Sequence, residues 1–234
     1  MLNNDLSQHV GFEVSVVAFD LDGTLADTLP DLHTATNLTL NDLGHDPVST
    51  DVVRQYIGQG IEYLLVELFK DLKIYWEEAK LKSIAHRFRE HYARHVCEHS
   101  VLFPGIETVL NTLQNRGLKM ACLTNKSELF TAPILMKLGI RDYFQEVVCG
   151  DTLEKRKPDA LPLRVLASRF SVDIKQILMV GDSKTDTACA RNAGAPVVCV
   201  PFGYRSGMAL SDLDRDASLG KAEALLNLIE KALM

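Results

Sequence analysis

The sequence predicts an α/β protein: a three-layer core on a parallel sheet, with a smaller all-helical domain inserted after the first strand. Three observations predict it. Short apolar runs recur along the chain without alternating apolar and polar residues, which is how strands buried on both faces read. Segments with helical spacing separate the last four of these runs, and strands alternating with helices join through right-handed crossovers into a parallel sheet. The stretch from about residue 30 to 98 breaks that rhythm and contains helical patterns only.

In chain order, the first run is Val14–Phe19. The helical insertion follows, with segments at Asp31–Leu43, Thr50–Ile57, Ile61–Lys70 and Trp76–Cys97. Tyr75 and Trp76 open and pack the last of these, and Glu77-Glu78 supplies an acidic first turn that suits the helix dipole. A helix over Ile106–Arg116 closes at Gly117 and leads into the second run, Leu118–Leu123. The helix Glu128–Leu138 ends at Gly139, and Pro133 either opens or kinks it. The run Glu146–Cys149, a helix over Leu161–Phe170 and the run Gln176–Val180 come next. A helix over Thr185–Ala193 stops at Gly194, the run Pro196–Val200 follows, and Gly220–Leu233 reads as a final amphipathic helix. The expected division is a Rossmann-like core of residues 1–29 and 99–234 and a helical cap domain of residues 30–98.

Composition narrows the class. The 234 residues are 47% hydrophobic and 24% charged, ordinary globular values that exclude a disordered or fibrous chain. The net charge of -6 lacks the basic footprint of a nucleic-acid binder, yet a local site can still hold a small anion. The 5 cysteines form no C-x-x-C pair, which argues against a disulfide framework or a zinc knuckle. Met1–Gly11 has no signal-peptide character, and no apolar run approaches the roughly 20 residues that cross a bilayer. The expectation is a soluble cytoplasmic protein, monomer or homodimer, with no nucleic-acid or membrane partner.

The strongest chemical signal is Asp20-Leu21-Asp22-Gly23-Thr24-Leu25, directly after the first run. Residues i and i+2 of an extended chain point the same way, so both carboxylates emerge at the carboxyl end of a strand, where open parallel sheets bind ligands. Such a pair suits a nucleophile and a general acid/base beside a shared metal; the plain alternative is a polar turn. Leu123-Thr124-Asn125 places a hydroxyl and an amide at a second strand end, where they either donate to a phosphoryl oxygen or close a turn. Lys155-Arg156-Lys157-Pro158-Asp159 brings cations that can neutralise a transferring phosphoryl group, or simply forms a solvated loop. Gly181-Asp182-Ser183-Lys184-Thr185-Asp186 adds a carboxylate after a buried strand, costly there without a metal or cation, and another at a helix start. All four segments share one address, the carboxyl edge of the sheet. Carboxylates of this kind, with oxygen ligands only, suit Mg²⁺.

In order and spacing the four segments resemble the motifs of the haloacid dehalogenase-like superfamily, over nearly the whole chain. The helical insertion is similar to the cap of members whose cap lies between the first two motifs. The resemblance implies Asp20 as nucleophile and Asp22 as general acid/base. It implies Mg²⁺ held by Asp20, the backbone carbonyl of Asp22, and Asp182. Thr124 and Asn125 would hold the phosphoryl group, Lys157 would stabilise its charge, and Asp186 with Ser183 would stand behind the metal and Lys157. Dehalogenase members lack an acid at the position of Asp22, so the chain is similar to the phosphoryl-transfer members.

Three further segments, Phe19–Leu32, Val53–Gly60 and Pro201–Tyr204, resemble the bacterial phosphoglycolate phosphatase branch, which implies hydrolysis of 2-phosphoglycolate to glycolate and phosphate. Relatives with similar motifs act on pyrophosphate, nucleotides or sugar phosphates such as N-acetylmuramate 6-phosphate. Gly58 and Gly60 could offer backbone amides to a small substrate, and Arg54 and Lys126 are charge partners or ordinary surface cations. His91, His95 and His99 recur every four residues near His86. That spacing puts them on one helix face, but a transition-metal site needs further ligands, which favours a solvated face. Two other classes share this scaffold: a phosphomutase resembling beta-phosphoglucomutase, and a non-catalytic binding protein.

Overall fold

The structure is a computed structural model and describes residues 12–231. The expected first run divides at Ser15 into β1 (Phe12–Val14) and β2 (Val16–Phe19). The remaining core elements alternate as the sequence predicts: α5 (Ile106–Asn115), β5 (Lys119–Leu123), α6 (Glu128–Lys137), β6 (Glu146–Val148), α7 (Leu161–Phe170), β7 (Ile177–Gly181), α8 (Lys184–Ala193) and β8 (Val197–Cys199). A short β9 (Ala217–Ser218) completes a six-stranded sheet of order β6-β5-β2-β7-β8-β9, parallel throughout. The order reverses at β2, which lies between β5 and β7. Open α/β sheets bind ligands at such a reversal, beyond the carboxyl ends of the strands.

Alternate side chains of β2 enter different cores. Val17 and Phe19 pack with Leu110 and Leu113 of α5 and Phe130 and Ile134 of α6. Val16 and Ala18 pack with Leu163 and Leu166 of α7 and Cys189 and Ala190 of α8. Both sheet faces are therefore covered, which is the three-layer arrangement and explains why the strands read as unbroken apolar runs.

Between β2 and α5 the chain forms α1 (Leu29–Asp42), α2 (Thr50–Arg54), α3 (Ile61–Asp71) and α4 (Glu78–His95). Their apolar faces meet around Leu40, Leu65, Leu68, Phe69 and Phe88, and Trp76 stacks on Phe69 with ring centroids 5.7 Å apart. The chain enters and leaves this helical segment through a narrow neck. There β3 (Ala26–Asp27) pairs antiparallel with β4 (Val101–Leu102). The buried Asp31 carboxylate straps the two passages together, accepting from His99 N at 2.8 Å, from Ser100 N at 3.0 Å and from the Ser100 hydroxyl.

The C-terminus differs from expectation. In place of one helix over Gly220–Leu233 there is a 3-10 turn at Ala222–Ala224, a single turn α9 (Leu225–Leu228), and then β10 (Ile229–Lys231). β10 runs parallel to β1 with Ile229 opposite Phe12, which gives both segments backbone partners and buries Ile229 against the core. Met1–Gly11 and Leu233 lie outside the described residues.

Candidate active site

Three strands deliver the predicted residues to one place. Asp20 directly follows β2, Thr124 follows the adjacent β5, and Asp182 follows the adjacent β7; all three are buried. Leu21 and Leu25 anchor the turn after Asp20 in the core. Gly23, at φ +85°, lets that turn close on Asp182: a Cβ there would stand 2.7 Å from Asp182 Oδ2. Gly203 approaches from the other side, where a Cβ would fall 2.0 Å from Asp182 Cβ.

Lys157 organises the carboxylates. Its Nζ lies 2.9 Å from Asp20 Oδ1 and 2.7 Å from Asp186 Oδ1, and it donates to Leu123 O at 2.7 Å, so all three ammonium hydrogens have acceptors. Burial opposes the Lys157 charge, but Asp186 and Asp20 outweigh it and raise the pKa. Asp186 Oδ2 accepts from Ser183 Oγ at 2.7 Å, Ser183 N at 3.0 Å and Asp182 N at 3.2 Å. Asp186 is thus saturated by Lys157 and its own helix start. Asp182 takes Thr24 Oγ1 on Oδ1 at 3.0 Å, with Tyr204 N at 2.7 Å and Arg205 N at 3.2 Å on Oδ2. Asp20 Oδ1 also accepts from Leu21 N at 2.7 Å, which leaves Oδ2 free among the described residues.

Ligand atoms of Asp20, Asp182 and Asp186 lie within 4.8 Å of one another. Burial, then the Asp186 charge, push Asp20 up to about 8 and Asp182 up to about 7. Counted as ionised, Asp20, Asp22, Asp182 and Asp186 face only Lys126 and Lys157, an excess of two negative charges. A hard divalent cation on Asp20 and Asp182 balances that excess with the oxygen donors such an ion prefers, so the residues present fit one. Asp186 is the third member of the cluster, but its saturation makes it the orienting group for Lys157.

The Asp22 carboxylate turns away from this cluster. Its Oδ2 pairs with Lys126 Nζ at 2.9 Å and its Oδ1 accepts from the Thr28 hydroxyl. Lys126 is itself nearly buried, and its Nζ stands 4.9 Å from the ring centroid of Tyr92 in α4. Asn125 donates to Lys157 O at 2.9 Å and to Gly58 O at 3.0 Å, joining the third motif to the helical segment. Gly58 is therefore engaged through its carbonyl, and the Arg156 side chain packs against Gly60.

A cavity of about 350 Å³ opens over Asp20, Asp22, Thr124, Asn125 and Lys126, roofed by Tyr56, Ile57 and Tyr92 of the helical segment. Among the described residues, the buried side-chain atoms with no hydrogen-bond partner are Tyr92 Oη, Asn125 Oδ1 and Ser127 Oγ. All three residues line this cavity. Arg54 does not: its guanidinium lies 5.7 Å over the Tyr204 ring and 3.8 Å from Asp51. The histidines do not converge either. His91 pairs with Asp42 at 2.9 Å and His95 with Glu98 at 2.7 Å.

Residue by residue reading missed Thr28, Tyr92 and Tyr204. Tyr204 donates its hydroxyl to Asp27 at 2.7 Å and accepts from Thr28 N at 2.7 Å and Leu29 N at 2.9 Å, while its own N–H holds Asp182. Only its place in the Pro201–Tyr204 segment marked it in the sequence; nothing marked Tyr92 beyond its place in an apolar helix face.

A sequence profile of the haloacid dehalogenase-like hydrolases matches residues 17–200. The chain belongs to that family. Within this hydrolase family it is 41% identical to a phosphoglycolate phosphatase of Thiobacillus denitrificans, over 91% of this chain and 95% of the relative. It is 39% identical to a phosphoglycolate phosphatase of Nitrosospira multiformis, over 96% and 99%. Among solved structures it is similar to that of a predicted phosphoglycolate phosphatase from Haemophilus somnus, with a TM-score of 0.86 at 32% identity, covering 91% of this chain and 97% of the other. Among the described residues no helix is long and apolar enough to cross a membrane.

Proposed function

We propose that the chain is a Mg²⁺-dependent phosphatase that hydrolyses 2-phosphoglycolate to glycolate and phosphate through a phosphoaspartate on Asp20. The observation that carries this reading is the free Oδ2 of Asp20, an oxygen without a hydrogen-bond partner among the described residues, on a carboxylate that lines the cavity and whose other oxygen is fixed by Lys157. The names of the curated relatives support the substrate.

In the first step Asp20 Oδ2 attacks phosphorus, the ester P–O bond breaks, and a proton from Asp22 reaches the leaving glycolate oxygen. In the second step Asp22 takes a proton from water as its oxygen attacks phosphorus; the bond to Asp20 breaks and phosphate leaves. Thr28 and Lys126 orient Asp22 for both transfers. The Thr124 hydroxyl accepts from Lys126 N at 3.2 Å, so its own hydrogen is available to a phosphoryl oxygen. Lys157 meets the charge that develops there. Asp20, Asp182 and the Asp22 carbonyl would hold Mg²⁺, which would supply charge neutralisation to the phosphoryl oxygens. In this reading residues 30–98 act as a cap that covers the cavity and excludes water.

The test is phosphate release with Mg²⁺ from 2-phosphoglycolate, pyrophosphate, nucleoside monophosphates and sugar phosphates. Preference for 2-phosphoglycolate, lost on chelation, supports the reading. Preference for a sugar phosphate keeps the mechanism and overturns the substrate. Conversion of a sugar phosphate without net phosphate release overturns hydrolysis in favour of a mutase.

A further inference from the structure

The cations that line the cavity are not equivalent. Lys126 is neutralised by Asp22 at 2.9 Å, and Arg89 by Glu62. Arg156 also lines the cavity, yet no ion pair or hydrogen bond engages its guanidinium among the described residues. Asp151 also lines the cavity, makes no ion pair with Arg156, and accepts the Glu128 N–H on Oδ1 at 2.9 Å. The Arg156 guanidinium lies beside Gly60: a Cβ at Gly60 would stand 3.0 Å from its Nη1, at a backbone φ of +91° that side chains avoid. Among the described residues that cation has no protein anion.

We propose that Arg156 is the specificity-determining residue, receiving a second anionic group on the substrate's leaving alcohol, and that this group is a carboxylate. The inference rests on the phosphatase reading above and deepens it, since a phosphoryl group at Asp20 and a carboxylate at Arg156 define a short phosphorylated hydroxy acid. A guanidinium suits this task because its planar fork matches a carboxylate through two parallel hydrogen bonds. Lys126 is bound to Asp22, and Arg54 lies outside the cavity, so neither is free to replace it.

The experiment compares kcat/KM for 2-phosphoglycolate with that for 2-hydroxyethyl phosphate, in which a neutral alcohol replaces the carboxylate. Wild type, Arg156→Gln and Arg156→Lys are assayed with Mg²⁺. A charge-assisted bidentate contact predicts that Arg156→Gln lowers the ratio of the two values at least about tenfold, chiefly through KM, and that Arg156→Lys restores part of it. Arg156 is exposed, and matching thermal unfolding of the variants establishes that they fold. A ratio unchanged in Arg156→Gln overturns the proposal. If wild type releases phosphate from neither ester, the phosphatase reading fails instead. The receptor is then judged by calorimetric binding of 2-phosphoglycolate, where equal affinity in wild type and Arg156→Gln overturns it and a loss of about tenfold supports it.

Discussion

The Lys126 ammonium stands 2.9 Å from Asp22 Oδ2, with side-chain exposures of 6% and 10%. Burial opposes the Lys126 charge, but Asp22 outweighs it and raises the pKa, which keeps the ammonium charged. Removing one partner of a buried pair strands the other. Lys126→Met therefore leaves Asp22 without its orienting cation. Steady-state kinetics on 2-phosphoglycolate should show kcat falling on the order of 10–100-fold, with partial recovery in Lys126→Arg. An unchanged kcat would show that Asp22 needs no such support.

Metal and pH are linked through the buried carboxylates. Without metal, Asp20 and Asp182 hold protons up to about 8 and about 7, against an ordinary value of 3.8. Between these values the folded chain binds protons that the unfolded chain has released, so the stability these groups contribute at low pH is lost as pH rises from about 4 to about 8. With EDTA, Tm should fall across that window. Mg²⁺ favours the ionised carboxylates, so the gap in Tm between Mg²⁺ and EDTA should widen as pH rises. A gap independent of pH would contradict this.

Gly203→Ala tests how tightly the loop after β8 grips the metal site. Its Cβ would fall 2.0 Å from Asp182 Cβ, so one of the two must move. Overpacking of this kind costs about 1–3 kcal/mol. Urea unfolding should register that loss, and calorimetry should show weaker Mg²⁺ binding because Asp182 is displaced.

Much of this was legible in the sequence, for a physical reason. Strands buried on both faces leave no room for polar alternation, so β2, β5, β7 and β8 announce themselves as apolar runs. A carboxylate at the end of such a run, as at Asp20 and Asp182, has few structural excuses. The neck pair β3–β4 is too short to carry a periodic pattern. The C-terminal segment has apolar spacing that suits a helix, and only the availability of β1 as a partner decides for a strand at Ile229–Lys231. The orientation of Asp22 toward Lys126 and the seat of Arg156 on Gly60 depend on contacts between distant segments, which local spacing does not encode.

The Tyr204 hydroxyl should matter more than a single contact suggests. Tyr204→Phe leaves the Asp182 contact, made by its backbone, and Leu29 N keeps Asp27 Oδ1 at 3.2 Å, but the change strips the acceptor from Thr28 N and a donor from Asp27. Buried groups left unpaired cost about 1–3 kcal/mol each. Thermal unfolding should show a clear loss in Tm. A Tm equal to wild type would mean that water replaces the hydroxyl at the neck.

The central claim is the covalent step on Asp20. The most direct measurement is peptide mass spectrometry after acid quench during turnover of 2-phosphoglycolate with Mg²⁺. A phosphoryl group on the peptide containing Asp20, absent from Asp20→Asn along with phosphate release, is the predicted result. Turnover with no acyl phosphate, and activity that survives in Asp20→Asn, would contradict it.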